Sequence, residues 1–160
     1  MAKLWNLPAV FVCENNRYGM GTTAERSSAN TDYYKQGGVA IPGIKCDGMD
    51  YLAVRECFKY IKEYCGTGKG PLFVELATYR YHGHSMSDAG LYRDRSEIAE
   101  IRAARDPIEQ VKKNLVESGY ATEKELQVTE KRIKKEVAAA NASAKKGAEP
   151  AIGELITDIF

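Results

Sequence analysis

The sequence predicts an α/β fold with parallel strands and a helical C-terminal tail, and three observations predict it. Leu7 to Cys13 is a continuous apolar run, the pattern of a strand covered on both faces, and Pro71 to Ala77 reads as a second, largely apolar strand. Between them Val54, Cys57, Phe58, Ile61 and Cys65 recur at helical spacing. After Arg95 the chain carries helix starts and no further strand-like run. Strand, helix, strand, then helices is the order of the later half of an α/β domain with helices appended.

The first strand exits into a polar connection, Asn15 to Gly43, rich in Gly, Ser and Tyr and closed by Pro42-Gly43. Loops of that length are uncommon and usually functional. Ile44 to Cys46 is a short strand. Asp50 is placed to cap the helix that follows and Gly66 to end it. Gly66-Thr67-Gly68-Lys69-Gly70 imitates a phosphate-binding loop, but Lys69 is followed by Gly70, not Ser or Thr, and a strand comes next. It is a turn. Both histidines lie on a loop from about Tyr79 to Arg95. Ser96 and Asp106-Pro107 start two helices, Pro107 suiting a first helical position. Thr122 and Glu125 form a capping box for a long helix. Its narrow apolar stripe (Leu126, Ile133, Val137, Ala140) predicts a solvated helix leaning on a neighbour rather than a coiled coil. Ala142 to Pro150 reads as a linker and Ala151 to Phe160 as a short terminal helix. Two domains are expected, 1–105 and 106–160.

Composition removes several function classes. A net charge of +1 lacks the basic surplus of a nucleic-acid footprint. No apolar run reaches the roughly 20 residues of a membrane-spanning helix. Cys13, Cys46, Cys57 and Cys65 have no Cys-x-x-Cys spacing, so buried reduced thiols are expected. Asn141-Ala142-Ser143 fits a glycosylation sequon by chance. Met1 to Pro8 is too short for a targeting signal.

Chemistry concentrates in two stretches. Cys13-Glu14-Asn15-Asn16-Arg17-Tyr18-Gly19-Met20-Gly21-Thr22 closes the first strand, where a parallel sheet places its binding crevice. Mg²⁺ takes oxygen ligands and shares them with substrate phosphates. An Asn side-chain oxygen and a main-chain carbonyl two residues on supply two such ligands, and Gly19 and Gly21 let backbone approach a diphosphate. Asn- and Gly-rich strand exits are also ordinary turns, and composition alone leaves that reading open. The second stretch, Thr78 to Asp88, follows the later strand. His82 and His84 stand two apart, but zinc normally takes at least three protein ligands and no third is in evident register. Solvated loop histidines are the plain alternative.

Asn-Asn-Arg-Tyr-Gly-Met-Gly-Thr (15–22) and Tyr-Arg-Tyr-His-Gly-His-Ser-Met-Ser-Asp (79–88) resemble the alpha subunits of the thiamine-diphosphate-dependent 2-oxoacid dehydrogenase family, in its pyruvate dehydrogenase branch. The resemblance runs from Met1 to about Pro150. It implies the later half of a thiamine-diphosphate-binding domain over 1–105, a helical tail over 106–160, and a longer subunit extending upstream. The implied activity is decarboxylation of pyruvate with thiamine diphosphate and Mg²⁺, and transfer of the acetyl group to the lipoyl domain of a dihydrolipoamide acetyltransferase. The implied partners are a beta subunit in a heterotetramer, which supplies the activating glutamate, and a regulatory kinase and phosphatase. The implied location is the mitochondrial matrix. Residue by residue, Asn16 and the Tyr18 carbonyl match the metal and cofactor positions. His84 matches a catalytic residue that reaches the cofactor, a role that suits an imidazole titrating near neutrality. His82 is then structural and Asn15 serves the turn.

Ser85 matches the main regulatory phosphorylation position, and Thr23 stands where relatives carry another. A phosphate on Ser85 would add roughly −1.5 to −2 charges beside Arg80, Arg93 and Arg95. A third regulatory serine of the family has no counterpart, since only Leu91 lies between Gly90 and Tyr92. The Gly-Asp-Gly that opens the family's cofactor motif is also absent. Without its charged ligand, Asn16 and Tyr18 make half a metal site. Two rival readings follow: a branched-chain 2-oxoacid or acetoin dehydrogenase alpha subunit, or a non-catalytic piece acting only in subunit assembly.

Overall fold

Three parallel strands make the sheet, so the α/β expectation holds. The computed structural model describes residues 1–159 and contains two compact units, Met1–Val111 and Lys112–Phe160. In chain order the first unit runs β1 (Val10–Asn15), β2 (Tyr18–Gly19), β3 (Thr22–Thr23), α1 (Ala24–Ser27), a 3₁₀ turn (Tyr33–Gly37), β4 (Gly43–Asp47), α2 (Tyr51–Gly66), β5 (Leu72–Ala77) and α3 (Arg95–Arg105). Helix α4 (Pro107–Glu117) crosses into the second unit, which continues with α5 (Glu123–Lys146) and a 3₁₀ turn (Ile152–Ile156).

The sheet order is β1-β5-β4, with β5 central and Leu72, Val74 and Glu75 essentially inaccessible. Asn15 pairs with Ala77, so β1 and β5 end together. The core joins Cys46, Ile61, Cys65, Leu72 and Val74, closed by the amphipathic face of α2. Asp50 caps that helix, its carboxylate accepting the Leu52 and Ala53 N–H groups at 2.8 and 3.1 Å. Gly43 allows the 3₁₀ turn to lie against β4, because a Cβ there would meet the Tyr34 carbonyl.

Several boundaries differ from expectation. β1 begins at Val10 rather than Leu7, since Pro8 has no N–H to give a ladder. It is an edge strand among the described residues, and Phe11 and Val12 stay 43% and 48% exposed instead of buried. The long connection carries a two-residue hairpin (β2–β3), a helical turn and a 3₁₀ turn. At the end of α2 the left-handed residue is Gly68 (φ 76°), two places beyond Gly66. Helix α3 is capped by Asp94, whose carboxylate accepts the Ser96 N–H at 2.9 Å, so Ser96 lies inside it. Of the cysteines, Cys46 and Cys65 are buried and Cys13 and Cys57 partly so; all four are free thiols.

In the second unit the Thr122–Glu125 capping box forms with both reciprocal bonds. No residue of α5 is buried, and its surface is laced by Arg132–Glu136 and Glu130–Lys134 pairs one turn apart. The helix continues to Lys146 through the expected linker, because Ala142 and Ala144 favour helix and no breaker comes before Gly147. The terminal segment makes only the 3₁₀ turn rather than a helix; Phe160, where the expected helix ended, lies outside the described residues. No helix among the described residues is long and apolar enough to cross a membrane.

Candidate functional site at the strand ends

The two motif stretches, some 60 residues apart in sequence, meet where β1 and β5 end. Thr78, just past β5, donates its N–H to the Asn15 carbonyl at 2.9 Å and its hydroxyl to Asn16 Oδ1 at 2.7 Å. Asn16 therefore keeps one amide-oxygen lone pair for a further donor or cation. Asn15 serves the turn: its Oδ1 accepts the Arg17 N–H at 3.1 Å, and its Nδ2 donates to Glu75 Oε1 at 2.9 Å. The unusual backbone falls on Arg17 (φ 66°) and Met20 (φ 53°) rather than on the glycines. Gly19 faces open space, where a Cβ would meet only the Thr22 carbonyl oxygen at 4.0 Å. Gly21 packs beneath the Tyr92 ring instead of facing a ligand.

A cavity of about 250 Å³ opens here, lined by Asn15, Asn16, Tyr18 and Gly19 from the β1 exit and by Ser27 and Tyr33 from the following segment. Beside the neutral oxygens of the asparagines, Glu14, Arg17 and Cys13 also line it. No cluster of three or more His, Cys, Asp or Glu side chains suited to a metal occurs among the described residues. Asn16 and Tyr18 thus fit part of a Mg²⁺–diphosphate site, and the open approach at Gly19 suits the diphosphate. Neither Asn16 nor Tyr18 carries a charge, and Glu14 is the one carboxylate residue in the lining.

Tyr18 also ties this cavity to the histidine loop. Its ring lies 5.6 Å from Tyr92 and 6.5 Å from Tyr79. Arg93 sits among the three rings, its guanidinium carbon 5.4 to 5.5 Å from each centroid. Only 7% exposed, Arg93 donates to the Arg80 and His82 carbonyls and so clamps the loop from inside. Burial and the hydrogen bond to Glu97 raise the Tyr79 phenol above its ordinary pKa.

Asp88 holds the loop's tip. Its carboxylate accepts the His84 N–H at 2.8 Å, the Gly90 N–H at 2.9 Å and the Tyr92 hydroxyl at 2.9 Å. The two backbone donors, then Tyr92, pull its pKa below the ordinary carboxylate value. Gly83 is required beside it, since a Cβ there would strike the Asp88 carbonyl. The His82 and His84 side chains and Ser85 are exposed on this loop, with Ser85 Oγ 3.0 Å from Ser87 Oγ. Of the arginines expected around Ser85, Arg93 is already committed and buried. Thr23 is half-buried and caps α1, its hydroxyl oxygen accepting the Arg26 N–H at 3.3 Å.

Sequence reading placed Asn16, Tyr18, His84, Ser85 and Thr23 by motif. It missed Glu75, which occupies a strand centre, and Arg93 and Asp88 as the organisers of the loop. A charged residue inside an otherwise apolar run was the available signal for Glu75.

Residues 1–153 match the sequence model of the dehydrogenase E1 component family. The chain belongs to that family. It is 62% identical over 138 residues to the probable pyruvate dehydrogenase E1 component subunit alpha, mitochondrial, of Caenorhabditis elegans, covering 86% of this chain and 34% of that protein. It is 55% identical over its whole length to the type II alpha subunit of Ascaris suum, covering 41% of that protein. The somatic alpha subunit of Homo sapiens is 52% identical, again over the whole chain and 41% of its own length. The chain therefore spans between 34% and 41% of these relatives.

Proposed function

We propose that this chain is part of the alpha subunit of a pyruvate dehydrogenase E1 component, working with a beta subunit in a heterotetramer. The observation that carries the reading is the meeting of Asn16 and Tyr18 with the His84 loop through Tyr18, Tyr92 and Arg93. The names of these relatives support the pyruvate branch over the branched-chain and acetoin alternatives, and their being mitochondrial supports a matrix location.

Thiamine diphosphate supplies the electron sink for decarboxylation of pyruvate when bound. In this reading Asn16 Oδ1 and the Tyr18 carbonyl would hold Mg²⁺ with the diphosphate, and a charged ligand beyond these two would complete the set. His84, exposed on a loop fixed by Asp88 and Arg93, orients or protonates during acetyl transfer to a lipoyl domain. His82 contributes its carbonyl to Arg93. Ser85 is the phosphorylation switch and Thr23 a second acceptor, both served by a regulatory kinase and phosphatase. Residues 1–105 form the cofactor-binding part and 106–160 the tail.

The test is reconstitution of a subunit containing this chain with a beta subunit and a lipoyl domain. Acetylation of the lipoyl arm from pyruvate is expected only with thiamine diphosphate and Mg²⁺. His84→Ala should cut it by about 10²-fold or more, the usual range for a general acid or base, while His82→Ala leaves most of it. A reconstituted enzyme that acetylates no lipoyl domain, or one indifferent to His84, refutes the proposal.

A further inference from the structure

Glu75 is the one fully buried carboxylate among the described residues, and it braces two walls of the cavity without lining it. Its Oε1 accepts from Asn15 Nδ2 at 2.9 Å and lies 3.6 Å from Lys45 Nζ. Its Oε2 accepts the Tyr34 N–H at 3.0 Å, one residue from the cavity-lining Tyr33. Asn15 passes the constraint on, since its other amide atom holds the Arg17 N–H that sets the left-handed turn before Tyr18. A polar side chain with this burial is costly unless its lone pairs are used, and here two acceptor oxygens face two N–H donors and a cation.

We propose that Glu75 is a positioning residue of the cofactor site: from beneath the sheet end it fixes the Asn15–Tyr18 turn and the Tyr33–Gly37 turn at one separation. That separation is the cavity, and it decides where Asn16 and the Tyr18 carbonyl point. The inference rests on the cofactor reading given above. A specific chemical consequence follows. Glu75→Gln is almost isosteric but carries one acceptor and one donor, so its amide must set N–H against N–H at either Asn15 or Tyr34. Asn15→Asp reverses the polarity at that partner. In the double variant Glu75→Gln with Asn15→Asp, the new amide donates to the new carboxylate and accepts the Tyr34 N–H. The new carboxylate keeps its second oxygen for the Arg17 N–H.

Amide hydrogen exchange on the full chain reads the clamp directly. Glu75→Gln should speed exchange at the Arg17 or the Tyr34 amide, whichever side the new N–H faces, by about 10- to 100-fold, the worth of a hydrogen bond to a charged group. The Leu72 and Phe73 amides should stay slow, and adding Asn15→Asp should restore both turns. No acceleration in the single variant, or no restoration in the pair, overturns the proposal. Should the Glu75→Gln chain fail to fold, Asn15→Ala should free the Arg17 amide alone; release of Tyr34 with it would overturn separate anchoring by Glu75. In the reconstituted enzyme, thiamine diphosphate affinity should fall about tenfold or more in Glu75→Gln and return in the pair. A wild type that binds no cofactor refutes the cofactor reading and leaves the exchange result to judge the clamp. A wild type and a Glu75→Gln enzyme that bind equally well overturn Glu75 as a positioning residue.

Discussion

Arg93→Met would keep the length and packing of the side chain inside its ring of tyrosines while deleting its charge and both donors. The Arg80 and His82 carbonyls would lose their partner. Each hydrogen bond from a charged group is worth roughly 1.5–3 kcal/mol, and the cation over three rings adds about 0.5–2 kcal/mol. Loop carbonyls freed this way regain water, so the low end applies. Two bonds at about 1.5 kcal/mol give about 3 kcal/mol of local stability, which is about 100-fold in the opening equilibrium. The loop carries its own reporters: the His84, Asp88, Gly90 and Arg93 amides are all bonded within it. Native-state hydrogen exchange at those four should accelerate about 100-fold, with β5 amides unchanged. Arg93→Lys should fall between, because an ammonium lacks the planar fork that reaches two carbonyls and stacks on rings. Exchange in Arg93→Met within twofold of wild type would refute the clamp.

Two further outcomes follow from the same loop. The Asp88 pKa is depressed in the folded chain, so its contribution is present above the unfolded value of about 3.9 and is lost as pH falls through the lower folded value. Exchange at His84 and Gly90 should thus stay slow through pH ~4 and quicken only in stronger acid; quickening near neutrality would point to another group. Phosphate on Ser85 would stand next to the carboxylate that holds the loop tip, since the Asp88 N–H is bonded to the Ser85 carbonyl. We expect loop proteolysis to rise and lipoyl acetylation to fall in the reconstituted enzyme without global unfolding; stoichiometric phosphate with full turnover would end that proposal.

Local chemistry was legible and remote pairing was not. Asp50, Thr122 and Glu125 announced themselves because a cap and its donors lie within three residues of each other. The α/β order and the strand-end site followed from apolar runs and their polar exits. The partners of the paired asparagines could not be read, because Glu75 and Thr78 reach them only through the parallel register of β5 against β1. Arg93 looked like one of three loop cations available to a phosphate, and only the convergence of Tyr18, Tyr79 and Tyr92 reveals it as internal. The exposure of β1 was equally hidden, since an apolar run does not say how many neighbours a strand has.

The dependence of Asn15 and Asn16 on β5 also sets an order of events during folding. Their hydrogen bonds close sequence separations of 60 and 62 residues, contacts of high order that local structure cannot form early. Helix α2 needs only its own cap and its own residues, so it can nucleate while the strand-end motif is still unstructured. On a ribosome making about 5–20 residues per second, the asparagines emerge several seconds before Thr78. Through that interval β1 presents an unpaired backbone and apolar side chains, and the site does not exist. The arrival of the central strand therefore completes the sheet and assembles the cavity in one step.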